Sequence, residues 1–220
     1  MTGKRAVLFD IDGTLVDSNY LHVDAWHKAF QTMGTDVEAW RIHRSIGQDS
    51  GQLLDSLVGE RDEDWVTEAK RLHSENYSAL APRLRVFPHV RDLLATLAGQ
   101  GVIVVLATSA PEDELRILLD LLDAGDAIHA TTSADDVDVA KPHPDIVRVA
   151  LERAGVSAAE AVFIGDSVWD MTAAGRAGVR PFGVLSGGIA AEVLIEAGAA
   201  ETFENPDDLL ARLGRLGLGE

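Results

Sequence analysis

The amino-acid sequence predicts an α/β fold: a doubly wound parallel sheet with a Rossmann-like core, interrupted by an inserted, all-helical domain. From position 86 onward, short apolar runs alternate regularly with amphipathic stretches. This alternation is typical of parallel strands joined by right-handed helical crossovers. Residues 17–84 break the pattern, because they contain amphipathic stretches but no strand-like run. The sequence therefore predicts a core of residues 1–16 and 86–220 and a helical domain of residues 17–85.

Each predicted strand of the core is a short apolar run bounded by glycine or polar residues. The predicted strands are residues 6–9, 101–106, 127–131, 161–164, 181–184 and 201–203. The predicted core helices are residues 90–98, 112–122, 144–154, 169–177 and 190–197. The predicted helices of the insertion are residues 20–33, 37–45, 50–58 and 62–80. Two crossing segments, residues 16–18 and 82–88, would join the insertion to the core.

Composition and charge narrow the classes of function. The 220 residues suffice for one domain with an insertion. The absence of cysteine excludes disulfides, thiolate zinc sites and a cysteine nucleophile, and it predicts a reducing compartment, the cytoplasm. We find no signal pattern and no apolar stretch near the ~20 residues that span a bilayer. The formal charge of −17 argues against nucleic acid or a membrane surface as a partner.

The first motif follows the first strand, where Asp10 and Asp12 precede Gly13. A pleated backbone would point both carboxylates to one side, since one residue separates them. Two such acids repel each other unless a cation or a shared proton relieves them. An ordinary acidic turn is the structural alternative.

The second motif ends the strand at 101–106 with Thr108 and Ser109, and Pro111 then opens a helix. Hydroxyls and free amides at a helix start suit a phosphate oxygen. A plain Ser/Thr helix cap explains the same residues without any ligand.

The third motif holds Lys141 just before Pro142, with Pro144 starting the next helix. Prolines restrict the backbone around this lysine. A lysine fixed near several acids can neutralise a phosphoryl group, whereas a lone loop lysine is usually just solvated.

In the fourth motif the strand at 161–164 is followed by Gly165 and Asp166, and Asp170 comes four residues after Asp166, one helical turn away. Oxygen ligands without cysteine suit a hard cation such as Mg²⁺ rather than zinc. An acidic helix N-terminus is the structural alternative.

The four motifs, taken together and in this order, resemble those of the haloacid dehalogenase superfamily. The resemblance covers essentially the whole chain, and the insertion resembles that superfamily's helical cap. The phosphatase branch fits best, and the cap is similar to those of phosphoglycolate phosphatase and β-phosphoglucomutase. Asp12 speaks against a dehalogenase, which has no second acid at this place. No motif acid is missing, as it could be in a family member kept only for binding or regulation.

The resemblance implies a role for each motif acid. Asp10 would be the nucleophile that attacks phosphorus and forms an aspartyl-phosphate. Asp12 would protonate the leaving alkoxide and then activate water. Mg²⁺ would be held by the Asp10 carboxylate, the Asp12 backbone carbonyl and Asp166, with Asp170 as a nearer or more distant helper.

The resemblance also implies how phosphate is bound. Thr108 would hold a non-bridging oxygen together with Ser109, and Lys141 would neutralise both the phosphate and the attacking carboxylate. The expected partner is a small phosphorylated metabolite: a sugar, polyol or short organic acid phosphate.

The cap residues bear on whether the reaction is hydrolysis or phosphosugar mutation. Gly47 stands where the mutase has a phosphate-binding arginine, and this difference favours the phosphatase. The mutase stays an alternative, because Arg41, His43 or Arg44 could supply the missing positive charge. Residues 16–18 and 82–88 would hinge the cap, and its closure could bring His22 near Asp12. We therefore expect Gly47, Arg44 and His22, with Ser109 of the core, to contact the substrate.

Overall fold

The computed structural model describes residues 4–137 and 139–218. Its strands, in chain order, are β1 Ala6–Phe9, β2 Val16–Asp17, β3 Arg85–Val86, β4 Ile103–Leu106, β5 Ala130–Thr131, β6 Ala161–Gly165, β7 Arg180–Val184 and β8 Thr202–Phe203. Its α-helices are α1 Asn19–Thr32, α2 Ala39–Ser45, α3 Ser50–Val58, α4 Glu63–Leu80, α5 Val90–Gly99, α6 Glu112–Leu122, α7 Asp145–Ala154, α8 Val168–Arg176, α9 Ala191–Glu196 and α10 Pro206–Ala211.

Six of these strands form one parallel sheet in the order β5-β4-β1-β6-β7-β8. Strand β1 lies at the centre, where Leu8 pairs with Val105 on one side and with Phe163 on the other. The chain leaves β1 first toward β4 and β5 and later toward β6, β7 and β8. This reversal makes the carboxyl end of β1 the topological switch point, where ligands of open α/β sheets bind. The predicted fold class is confirmed.

Helices cover both faces of the sheet because alternate residues of β1 point to opposite sides. Val7 and Phe9 pack in a core cluster with residues of α5, α6 and α10. Ala6 and Leu8 pack in a second cluster with residues of α7 and α8. All four residues of β1 are fully buried, as expected for a central parallel strand.

The insertion after β1 forms helices α1–α4, each within two residues of its predicted bounds. Their apolar faces share a separate core that includes Trp26, Phe30 and Leu53. The insertion is connected to the core through β2 and β3, which pair antiparallel in a separate two-stranded sheet. These two-residue strands were not predicted, because so short a segment leaves no period-2 pattern.

The structure and the predictions differ elsewhere in the core in two respects. Strand β5 is shorter than the predicted strand at 127–131, because Gly125–Ala127 forms a 3₁₀ turn ahead of it. Helix α10 was not predicted; Asn205 caps it by accepting hydrogen bonds from two backbone amides. In the part of the chain that the structure describes, no helix is both long and apolar enough to cross a membrane.

Candidate active site

The four motifs meet at the carboxyl ends of β1, β4 and β6, beneath the inserted helices. Asp10, Asp12, Thr108, Lys141 and Asp166 all line one cavity of about 460 Å³. That volume lies in the range of small-molecule sites. Residues that are far apart in the sequence are therefore brought to one place by the parallel sheet.

Backbone geometry at the end of β1 positions the two acids. The Asp10 N–H donates a hydrogen bond to the Ile164 carbonyl at 2.9 Å, which extends the β1–β6 pairing by one residue. Gly13 follows with φ +70°, and a Cβ there would lie only 2.5 Å from Asp166 Oδ2. A side chain at position 13 would therefore clash with the site, so the turn requires glycine.

Lys141 is the central cation of the site and is only 2% exposed. Its Nζ lies 2.6 Å from Asp10 Oδ1 and 2.8 Å from Asp170 Oδ1. Burial acts to lower the pKa of Lys141, but these two carboxylates hold it above its ordinary value. Burial also raises the pKa of Asp10 to about 7; Lys141 opposes this rise, and Asp170 and Asp12 add to it.

Carboxylate oxygens of Asp10, Asp166 and Asp170 lie within 4.8 Å of one another, and all three residues are buried. Burial raises the pKa of Asp166 well above its ordinary value, and the charges of Asp170 and Asp10 add to the rise. Three buried carboxylates that repel one another fit a hard divalent cation, which would relieve the repulsion. These three residues could therefore hold a metal ion, and the predicted ligand set, which also includes Asp12, stays a prediction.

Two polar side chains from the start of the chain hold Asp166. Thr14 Oγ1 donates a hydrogen bond to Asp166 Oδ1 at 3.2 Å, and Asn19 Nδ2 donates one to Oδ2 at 2.7 Å. Asn19 was not predicted as a site residue. It lines the cavity, and in the described part of the chain its buried Oδ1 has no hydrogen-bond partner.

Asp12 is paired with His22 of α1. The distance from His22 Nε2 to Asp12 Oδ1 is 3.3 Å, and the Ser18 hydroxyl donates to the same oxygen at 2.5 Å. Burial acts to raise the pKa of Asp12, but these two hydrogen bonds outweigh it and leave the pKa below its ordinary value. Burial acts to lower the pKa of His22, yet Asp12 holds it above its ordinary value. Both pKa shifts favour the charged forms, a carboxylate beside an imidazolium.

A stack of rings fixes the orientation of His22. Its ring lies 3.9 Å, centroid to centroid, from that of Tyr77. Its Nδ1 lies 3.1 Å from Nε2 of His73, whose own ring stacks on Trp26. Burial and the charge of His22 hold the pKa of His73 well below its ordinary value, which favours a neutral His73. His73 was not predicted as a site residue.

Thr108 and Ser109 lie where the sequence predicts them, between β4 and α6 on the cavity wall. Thr108 Oγ1 accepts a hydrogen bond from the Ala110 N–H at 3.0 Å. The Ser109 hydroxyl is buried and has no hydrogen-bond partner in residues 4–137 and 139–218. A buried hydroxyl without a partner at this place is available to a ligand oxygen.

The structure brings Gly47 into the cavity wall but not Arg44. Gly47 has φ +95°, and a Cβ there would lie 2.8 Å from Ser167 Oγ, so the insertion touches the core at this point. Arg44 is exposed, and its guanidinium lies 5.3 Å from the centroid of the Trp40 ring. Arg44 is absent from the described residues that line the cavity. The predicted substrate contact of Arg44 is not found, because α2 turns this side chain outward onto the tryptophan.

Glu114 of α6 is a cavity residue that was not predicted. It is 7% exposed, and within the residues that the structure describes no hydrogen bond or ion pair holds its carboxylate. Burial raises its pKa; His22 opposes this rise, and Asp12 and Asp113 add to it. A sequence signal existed, since Glu114 lies four residues before buried Leu118, on the inward stripe of the helix.

Replacing Glu114 with glutamine is expected to raise the free energy of unfolding relative to wild type, and this gain should grow as the pH rises. Because the pKa of Glu114 is raised in the folded state, the wild-type carboxyl stabilises the fold at pH values below its ordinary pKa of 4.5. This contribution is lost as the pH rises through the folded-state pKa. Glutamine cannot ionise and keeps its contribution. The check is urea unfolding at about pH 4 and about pH 7, with Glu112→Gln, an exposed residue of the same helix, as control. A Glu114→Gln effect independent of pH would contradict the assignment.

Comparisons with known proteins match this site and fold. A family model described as haloacid dehalogenase-like hydrolase covers residues 7–184. A protein of Rhodospirillum rubrum named phosphoglycolate phosphatase is 32% identical over 214 residues, which cover 91% of this chain and 87% of that protein. The protein of that name from Escherichia coli K12 is 28% identical, over 96% of this chain and 92% of its own.

Solved structures give the same result. The crystal structure of a hydrolase from Pseudomonas syringae is 35% identical in sequence and has a TM-score of 0.92. The match covers 96% of this chain and 99% of that one. A putative β-phosphoglucomutase from Bacteroides vulgatus has a TM-score of 0.89 at 23% identity, over 98% of this chain and 90% of its own. At that identity the likeness concerns the fold alone.

The parallel α/β sheet, with a buried carboxylate–lysine site at its switch point, agrees with the family that the model describes. The chain belongs to the haloacid dehalogenase-like hydrolase family. It is a phosphoric monoester hydrolase, that is, a phosphatase.

Proposed function

We propose that this phosphatase hydrolyses a small phosphomonoester with the help of Mg²⁺ and through an aspartyl-phosphate on Asp10. One observation carries the proposal: Lys141 holds the Asp10 carboxylate at 2.6 Å inside a cluster of three buried acids. Asp10, Asp166 and the Asp12 backbone carbonyl would hold the ion. When bound, Mg²⁺ supplies positive charge to the phosphate and relieves the repulsion between the acids.

The chain's own residues perform two displacements. An Asp10 oxygen bonds to phosphorus while the bond from phosphorus to the ester oxygen breaks, and Asp12 delivers a proton to that oxygen. Asp12 then takes a proton from water, which attacks phosphorus and releases Asp10 and inorganic phosphate. Thr108, Ser109 and Lys141 hold the phosphoryl oxygens in both steps.

His22 supports the proton transfers of Asp12. The lowered pKa of Asp12 and the raised pKa of His22 favour one proton shared by the pair and held on His22, whose Nε2 lies 3.3 Å from Asp12 Oδ1. A shift of that proton to Asp12 makes the carboxyl ready to act as an acid. His73 fixes the imidazole through Nδ1 and stays neutral. The predicted approach of His22 to Asp12 thus gains geometric support.

Residues 17–85 act as a lid in this proposal. The chain enters the insertion at β2 and leaves it at β3, so both crossings lie side by side and permit a rotation of α1–α4 as one body. His43 Nε2 donates to the Gly187 carbonyl at 2.8 Å, and Trp169 Nε1 donates to the Arg44 carbonyl at 3.3 Å, which hold the lid closed. A closed lid excludes water until Asp10 is phosphorylated.

Activity is expected to require a divalent metal. Removal of metal with EDTA should reduce phosphate release from p-nitrophenyl phosphate to below about one per cent, because the acid cluster then repels the anionic ester. Mg²⁺ should restore the rate, and excess Ca²⁺ should inhibit, since Ca²⁺ accepts more and longer oxygen contacts and would draw both Asp10 oxygens onto itself. Full activity in EDTA would refute the metal assignment.

Hydrolysis is expected to exceed phosphosugar mutation. Gly47 offers no cation, and the guanidinium of Arg71, at the cavity rim, is engaged by Glu68 and Glu75, so a second phosphate finds little support. Glucose 1-phosphate with a trace of bisphosphate primer should yield inorganic phosphate and no isomer. Isomerisation faster than phosphate release would revive the mutase alternative, which the relatives named phosphoglycolate phosphatase do not favour.

A further inference from the structure

One wall of the cavity has a feature that the proposed chemistry does not use. Glu114 projects from the first turn of α6 into the wall that also carries His22, and its charge helps to raise the pKa of His22. Within the described residues its carboxylate has neither a hydrogen bond nor an ion pair, although the residue as a whole is only 7% exposed. The carboxylate lines the cavity, where it can accept a hydrogen bond from a ligand.

The side chains around Glu114 are poor partners for an anion. On the cap side, the cavity is lined by neutral hydrogen-bonding groups, which are Gln48, Ser50, His73 and Ser74. The apolar part of the same wall is formed by Trp26, Leu53 and Pro111.

The cations of the cavity are already engaged or lie in solvent. Lys141 is held by Asp10 and Asp170. Arg71 is exposed and donates to Glu68 and Glu75, and Lys70 is exposed at the rim. His22, in the same wall, is paired with Asp12 at 3.3 Å. A substrate carboxylate or second phosphate beside Glu114 would therefore meet a like charge without an unpaired buried counter-ion.

We propose that Glu114 determines specificity by accepting a hydrogen bond from a hydroxyl or ammonium group on the organic part of the substrate, and that it disfavours carboxylates and second phosphates there. This inference rests on the proposed phosphatase function. The substrate class is then a polyol, sugar or amino-alcohol monophosphate. It differs from the carboxylate-bearing ester after which the relatives are named.

The test uses pairs of esters that differ only at the far end. 2-Hydroxyethyl phosphate and phosphoglycolate form the short pair, and sorbitol 6-phosphate and 6-phosphogluconate form the long pair. Phosphoethanolamine shows whether an ammonium replaces the hydroxyl. We expect the wild-type enzyme with Mg²⁺ to favour the alcohol over the acid in kcat/KM by roughly ten- to hundredfold in at least one pair, the effect of a hydrogen bond to a charged group.

Glu114→Gln is the variant that assigns this preference, because it keeps the shape and removes the charge. In this variant the ratio of kcat/KM for the alcohol to kcat/KM for the acid should fall roughly tenfold or more, because kcat/KM for the acid rises. Glu112→Gln removes the same charge from the exposed start of α6 and should leave the wild-type ratio unchanged. Circular dichroism and the urea midpoint confirm that both variants are folded.

Two results would overturn the inference. One is a wild-type enzyme that hydrolyses the acid as well as the alcohol in both pairs. The other is a preference for alcohols that survives in Glu114→Gln. The proposed function is tested separately with p-nitrophenyl phosphate. If the enzyme hydrolyses that ester but does not discriminate between alcohol and acid, only the inference about Glu114 is refuted. If the enzyme with Mg²⁺ is inactive on every ester, both the proposed function and the inference are refuted.

Discussion

Replacing Asp10 with asparagine is expected to lower kcat by at least about a thousandfold while the protein stays folded. An amide of nearly the same shape cannot serve as the nucleophile, so no phosphoryl group is accepted. Stability should not fall, since the change removes one of three mutually repelling buried carboxylates and leaves Lys141 paired with Asp170 at 2.8 Å. The measurement is phosphate release from p-nitrophenyl phosphate, with the melting temperature recorded in parallel.

The matched control for this variant is Asp17→Asn, which makes the same change at an exposed residue beyond the motif. It should retain the wild-type kcat. If Asp10→Asn keeps more than a few per cent of the activity, Asp10 is not the nucleophile and the order of events proposed above is wrong.

Replacing Lys141 with methionine is expected to damage stability and catalysis together. Asp10 and Asp170 would lose their shared buried cation, and breaking a buried ion pair costs about 3–5 kcal/mol. The transferred phosphoryl group would also lose a positive charge, which should lower kcat/KM by at least about a hundredfold. Urea unfolding without added metal and steady-state kinetics with Mg²⁺ measure the two effects.

Lys70→Met is the control, because it makes the same change at an exposed lysine on the cavity rim. It should leave the free energy of unfolding within about 0.5 kcal/mol of wild type. A Lys141→Met protein that is destabilised but retains wild-type kcat/KM would assign Lys141 to folding alone. Partial recovery of stability with Mg²⁺ is expected, since the ion replaces the lost cation between the same carboxylates.

The motif residues could be predicted from the sequence because the fold concentrates them. In a parallel sheet, the residues after each strand meet at one edge, so Asp10, Thr108 and Asp166 were placed together by their positions after β1, β4 and β6. Lys141 follows no long strand, but its neighbouring prolines marked it as a restricted loop residue. The structure places its Nζ within 2.8 Å of two motif acids.

The remaining site residues escaped prediction because only tertiary packing gives them a role. Asn19 donates to Asp166, 147 positions away, and nothing local to Asn19 indicates that contact. For Glu114, its place on the inward stripe of α6 indicates burial, but only the cavity beside α6 gives the side chain a role. Arg44 shows the converse: its charge suits a phosphate, but the orientation of α2 directs it onto Trp40 and away from the cavity lining.

The stereochemical course at phosphorus tests the central proposal, transfer through Asp10, most directly. A thiophosphate monoester made chiral with oxygen isotopes would be hydrolysed with Mg²⁺, and the configuration of the released thiophosphate determined. Two in-line displacements, first by Asp10 and then by water, predict overall retention of configuration. Inversion would mean that water attacks the ester directly and that no phosphoryl group passes through Asp10.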